Sequence, residues 1–175
     1  LISQKNDNKK YLSKSYILLG YYCEDRSDYS AGLKHYLAAL SVYKSIGNDR
    51  GIADCYINIG NAYMYLGKYS EVLESYFSGL KIYEKLGIDR GVASAYDNIG
   101  SIYSYLGNLE YALKNNLQSL KIFKKIGDKE GIAYAYNNIG IVYYKQGKYI
   151  EALESHNASL KLKREIGDSA GVGNS

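Results

Sequence analysis

The side chains with which this 175-residue chain would do chemistry are two histidines, two cysteines and one glycine-lysine segment. A shared metal needs three or four ligands converging on one point. His35 and His156 lie far apart in the chain, with no Glu-x-x-His or paired-cysteine spacing beside them. Cys23 and Cys55 are too few and too irregular for a disulfide framework, which points to a reducing, cytoplasmic setting. They read as inert thiols packed on helices, a redox link being the alternative. Gly60 to Lys68 has the look of a phosphate loop, but six residues separate Gly60 from Gly67 and Tyr69 follows the lysine. That spacing fails the motif. Asn157-Ala158-Ser159 is a formal glycosylation acceptor within a helical stretch. With no Ser/His/Asp set either, the sequence predicts no enzyme, no cofactor and no metal site.

What would position these residues is a repeat. The stretch GIAYAYNNIGIVYYKQGKYIEALESHNASLKLKREIG (131–167) recurs 40 residues earlier, again 40 before that, and once more in degenerate form. Self-similarity at a fixed period marks a solenoid. The expected division is 1–10 as the tail of a preceding repeat, then repeats at 11–50, 51–90, 91–130 and 131–170, and 171–175 as the start of a truncated one. Lys5-Asn6-Asp7 falls in the phase of Gly47-Asn48-Asp49, and the last five residues restart the motif. Both suggest a segment of a longer protein.

Each unit reads as two helices. Ile52, Ala53, Tyr56, Ile59, Gly60 and Tyr63 recur at three- and four-residue spacing, the apolar face of a helix. Val72, Leu73, Tyr76, Leu80, Ile82 and Tyr83 form a second, which Gly87 ends. Gly20, Gly60, Gly100 and Gly140 fall in mid-helix, at a cost of about 1 kcal/mol each relative to alanine. Such repetition implies close approach of a neighbouring helix, with Tyr16, Tyr56, Tyr96 and Tyr136 as large partners. Basic residues such as Lys85, Lys124, Lys125, Lys163 and Arg164 gather at the ends of the second helices, where cations complement the helix dipole.

The composition is that of a globular chain, 46% hydrophobic and 23% charged, with 22 tyrosines and no proline. The net charge is +4, and no repeat is strongly basic, so nucleic-acid binding gains little support. No apolar run approaches the roughly 20 residues of a membrane span.

Residues 133 to 153, AYAYNNIGIVYYKQGKYIEAL, carry an aromatic, Ile-Gly, Tyr, Gly-x-Tyr and Ala at set offsets. That pattern resembles the tetratricopeptide repeat, in a long 40-residue form similar to the G-protein-signalling modulator polarity adaptors and, more distantly, kinesin light chain. The resemblance spans residues 11 to 170. It is weakest in the first copy, where Cys23 replaces the motif Tyr, Ser27 the turn Gly and Gly32 the small Ala. It implies an all-α, right-handed α-solenoid of antiparallel helix pairs, with the first helices lining a concave groove.

Family geometry then assigns groove positions. The candidate partner-binding residues are Asn58, Asn61, Asn98, Asn138, Asp97, Asn137, Tyr65, Tyr105, Ser101, Tyr134 and Tyr144. Asn58, Asn98 and Asn138 share one phase. A side-chain amide offers donors and an acceptor together, matching the peptide groups of an extended ligand. The resemblance implies that they contact a partner's backbone; the alternative is that they bond a neighbouring helix and hold the inter-repeat angle. Tyr21 and the groove tyrosines add amphipathic contact area. A clamp for an acidic C-terminus is unsupported, since Ile17, Ile57, Asp97 and Asn137 stand where it needs cations, and only Lys14 is basic.

The expected function is a non-enzymatic protein-interaction module that binds a peptide or protein segment in its groove. Two alternatives stand beside it. One is a sensory or regulatory segment of a bacterial signalling protein, such as a histidine kinase, nucleotide cyclase or transcription regulator. The other is a structural array that self-associates through exposed end repeats.

Overall fold

The computed structural model describes residues 2–167, with side chains from residue 7 onward. Within them are eight α-helices and no strand: α1 (Ile2–Asp25), α2 (Tyr29–Ser45), α3 (Asp49–Tyr65), α4 (Tyr69–Leu86), α5 (Asp89–Tyr105), α6 (Leu109–Ile126), α7 (Lys129–Lys145) and α8 (Tyr149–Glu165). The protein is an all-α solenoid of antiparallel helix pairs. It divides into two compact units, Leu1–Gly87 and Ile88–Ser175.

The turns follow from local chemistry. Gly87 and Gly127 take left-handed conformations, with φ of 65° and 71°, and close α4 and α6. Asp128, directly after Gly127, caps α7, and Asn48, directly after Gly47, caps α3, each side chain accepting from a backbone N–H three residues on, at 3.0 and 2.9 Å, whereas Ile88 leaves α5 without a side-chain cap. This is the physical content of the recurring Ile-Gly-Asn and Ile-Gly-Asp. The 40-residue period sets Asp7-Asn8, not Lys5-Asn6, against Gly47-Asn48, and α1 continues unbroken through both. Asp7, standing where later repeats have glycine, lacks glycine's free access to the left-handed region. The restart at 171–175 lies outside the described residues.

In the first unit Tyr36, Ala39, Leu40 and Tyr43 of α2 pack against Cys55, Ile59 and Ala62 of α3. In the second, Leu120 and Phe123 of α6 pack against Ala135 and Ile139 of α7, with Ala93 of α5. Burying each large apolar side chain contributes roughly 1.5 to 3 kcal/mol. Both cysteines are free, and burial pushes the Cys55 thiol up to about 12, so it behaves as a small apolar group.

The mid-helix glycines do admit a close neighbour, but not the tyrosine four residues earlier. A Cβ on Gly60 would meet the Tyr76 ring, one on Gly20 the Tyr36 ring, and one on Gly140 the His156 ring at 2.8 Å. The ring comes from the second helix of the same pair. A residue four positions back along one helix points along its own face, not onto the bare spot.

Two of the terminal lysines reach across their own pair as well. Lys85 bridges to Asp49 at 3.1 Å and Lys125 to Asp89 at 2.8 Å, joining the end of a second helix to the start of its first.

Candidate functional site

The first helices of each unit enclose a pocket. In the first unit, α1 supplies Lys14, Ile17, Leu18 and Tyr21, and α3 supplies Asp54, Ile57 and Asn58; Tyr43 and Tyr83 complete the lining of about 420 Å³. Leu18 and Tyr21 are largely exposed at 66% and 45%. Four of the polar groups are paired with one another. Asn58 Nδ2 donates to the Tyr21 hydroxyl at 3.2 Å, and the Tyr83 hydroxyl donates to Asp54 Oδ1 at 2.6 Å. Burial, first, and the Asp54 contact hold the Tyr83 phenol well above its usual range. The pocket is an apolar trough with a hydrogen-bonded rim, the usual character of a ligand site.

In the second unit, Ser101, Ser104 and Tyr105 of α5 face Asn138, Ile141 and Lys145 of α7 around a smaller cavity of about 210 Å³, with Asn116 of α6. Asn138 Nδ2 donates to Asp97 Oδ2 at 2.9 Å, while Asp97 Oδ1 is shielded and unpaired. Burial pushes the Asp97 carboxyl up to about 6, against the lowering effect of the Asn138 bond. Lys145 Nζ donates to the Ser104 carbonyl at 2.7 Å.

The sequence-predicted residues therefore divide. Asn58 lines the first pocket, and Ser101, Tyr105 and Asn138 the second. Both pocket asparagines bond to the preceding first helix of their unit, as the structural alternative expects, and each keeps an amide oxygen for another partner. Asn98 is half-buried and makes no side-chain hydrogen bond among the described residues.

The rest are engaged elsewhere. Asn61 accepts from the Tyr76 hydroxyl at 2.6 Å, and Asn137 Oδ1 lies 3.2 Å from His156 Nδ1. Tyr65 stacks on Tyr29 with centroids 4.2 Å apart, Tyr144 meets Tyr149 edge-on at 5.6 Å, and the Tyr134 ring carries Lys163 Nζ at 5.7 Å. Sequence reasoning missed Asn116 and Lys145 as lining residues. The available signal was the break in the series Tyr36, Tyr76, Asn116, His156, where one member is not a ring.

Among the described residues, no three His, Cys, Asp or Glu side chains gather as a metal set, and no helix is long and apolar enough to cross a membrane.

The sequence matches the tetratricopeptide repeat over residues 11–85 and 91–165, and the chain belongs to the tetratricopeptide-repeat family. No curated protein matches it. Among solved structures it is similar to BtubC (BKLC) of P. vanneervenii, with a TM-score of 0.80 and 19% identity over 91% of this chain and 66% of that one. It is similar to a Rap protein solved with Competence and Sporulation Factor: TM-score 0.76, 20% identity, 86% of this chain and 42% of that one. A putative kinesin light chain of Podosopora anserina with TPR-like repeats gives 0.72 and 14%, over 87% of this chain and 74% of that one. The chain thus spans less than two thirds of the length of the first two. At these identities the likeness is one of fold.

Proposed function

We propose that the chain is a non-enzymatic interaction module whose first helices receive an extended segment of a protein or peptide. The observation that carries this reading is the first-unit pocket, where exposed Leu18 and half-buried Ile17 and Ile57 lie beside the Asn58 amide and the Tyr21 hydroxyl. Apolar side chains of a ligand would take the trough, and its peptide groups the free amide oxygen. Because the helices are preformed, the ordering cost falls on the ligand. That a Rap protein of this fold is known in complex with Competence and Sporulation Factor supports the reading. A sensory or regulatory role within a longer signalling protein is the same binding event coupled to another domain.

The test is peptide display on the immobilised chain, followed by calorimetry with alanine variants. Asn98→Ala is the cleanest variant, since no hydrogen bond holds Asn98 to the stack. Weaker binding with unchanged melting supports the reading. Selection of no peptide at all, or binding indifferent to Asn58, Asn98 and Asn138 together, counts against it.

Self-association is a second reading, favoured by one feature of α8, where Ile150 and Leu153 are 74% and 62% exposed. Sedimentation velocity across a concentration series decides it: a constant coefficient excludes it, and a rise abolished by Ile150→Glu supports it.

A further inference from the structure

The third helix pair lacks the ring that fills the others. A Cβ on Gly60 would meet the Tyr76 ring, whereas one on Gly100 would meet the Asn116 amide. In repeat 2 the Tyr76 phenol also reaches Asn61. Repeat 3 has Ser101 at that phase, and its hydroxyl turns back to the Asp97 carbonyl at 3.0 Å. Phenol and acceptor are both gone, and the cavity of about 210 Å³ occurs where Asn116 and Ser101 stand in their place.

Two polar side chains are left unpaired in the wall of this cavity. Asn116 has no accessible surface, yet neither Nδ2 nor Oδ1 has a hydrogen-bond partner, and the buried Ser104 Oγ has none either. Native proteins rarely leave three such atoms around one cavity without an occupant. The lining is rich in donors: Asn116 Nδ2, the Ser104 hydroxyl and the Lys145 ammonium. Lys145 spends one N–H on the Ser104 carbonyl and forms no ion pair among the described residues. Asp97 is tied to Asn138 and is not among the lining residues.

We propose that repeat 3 holds a carboxylate-binding pocket, in which Asn116 and Ser104 donate hydrogen bonds and Lys145 supplies the charge. Donors around a charged acceptor make the stronger class of hydrogen bond. A glutamate or aspartate side chain of a bound segment and a free small carboxylate share this chemistry. The first source rests on the interaction reading; the pocket itself does not.

The experiment is a titration of the isotope-labelled chain, following the side-chain amide resonances of Asn116. The probes are capped glutamate, capped glutamine and glutarate. Saturable shifts with capped glutamate, absent with capped glutamine, are expected. Lys145→Met should weaken binding about tenfold or more, the loss of one charge-assisted contact. Asn116→Tyr restores the ring of repeats 1 and 2 and should abolish binding while the chain stays folded. Should that variant misfold, Asn116→Leu keeps the cavity near its present size and removes the amide, and it should abolish binding equally.

Absence of a saturable shift with both carboxylates, or equal shifts with glutamine, would mean that the cavity holds water only and would overturn the pocket. Retained binding in Asn116→Leu would overturn it too. If the pocket binds, glutarate matching capped glutamate identifies a free carboxylate as the occupant. A glutamate-bearing peptide binding more tightly than capped glutamate identifies a polypeptide. Peptides that never exceed the capped residue would sink the interaction reading and leave the pocket standing.

Discussion

The two halves of the chain use one scaffold to make two different cavities. In the first, Ile17, Leu18 and Ile57 give an apolar trough whose rim groups satisfy each other. The second, of half the volume, keeps two unpaired polar side chains, Asn116 and Ser104, in its wall. Two exchanges at matched phases bear on the difference: Tyr76 becomes Asn116 in the wall of the second cavity, and Ile57 becomes Asp97, which bonds the lining residue Asn138 from behind it. A ring on the mid-helix glycine stabilises the pair and fills its interior. Giving it up leaves space and unmet hydrogen bonds, so one half is suited to reading shape and the other to reading a functional group.

Making repeat 2 resemble repeat 3 is the strongest way to break this comparison. Tyr76 is 2% exposed, and Tyr76→Asn should cost about 3 kcal/mol, as for loss of other buried aromatics. Urea unfolding measures it, and a loss below about 1 kcal/mol would mean that the ring is not what stabilises the pair.

Asp97→Asn tests the other exchange and should act in the opposite direction. The folded carboxyl titrates near 6, above its ordinary value of 3.8. Between those values the folded chain binds more protons than the unfolded one, so stability falls as pH rises through that window. The variant keeps the acceptor for Asn138 and loses the penalty, gaining about 1 to 2 kcal/mol above pH 7 and nothing below pH 4. Unfolding midpoints across that range check it, and a gain that persists at low pH would point to packing instead.

Repeat 1 differs from its neighbours at one turn. Ser27 has a φ of 60°, where Gly67, Gly107 and Gly147 hold the same left-handed conformation. Ser27→Gly should add about 0.5 to 1 kcal/mol, the relief of strain less the extra freedom of the unfolded glycine. Thermal melting reads this as a small upward shift. Smaller still are the ion pairs common to both halves. Lys85→Ala and Lys125→Ala should each lose less than about 0.5 kcal/mol, because the lysines are 74% and 70% exposed. Equal losses would confirm that the halves share this feature, and double-mutant cycles with Asp49 and Asp89 would isolate it.

The repeat, the helix pairing and the glycine stops were legible because period and turn chemistry are local properties. Gly87 ends α4 and Asn48 caps α3 for reasons written within a few residues of each. The partner of Gly60 was not legible. It lies one helix away, and the rotation of one helix against the next leaves no trace in a single helix's spacing. The same rotation decides whether an amide faces a ligand or a neighbour. That is why Asn58 and Asn138, though equivalent in phase, required coordinates to show their bonds to Tyr21 and Asp97. Asn116 was visible only as a missing aromatic, a break whose meaning depends on the glycine opposite.

The contact between ring and glycine closes within one helix pair. Tyr36, Tyr76, Asn116 and His156 are therefore four separate settings of the same switchboard, each changed without resetting the others. A stack built this way can acquire a new chemical preference by exchanging one internal side chain, at the place where that pair meets the next repeat.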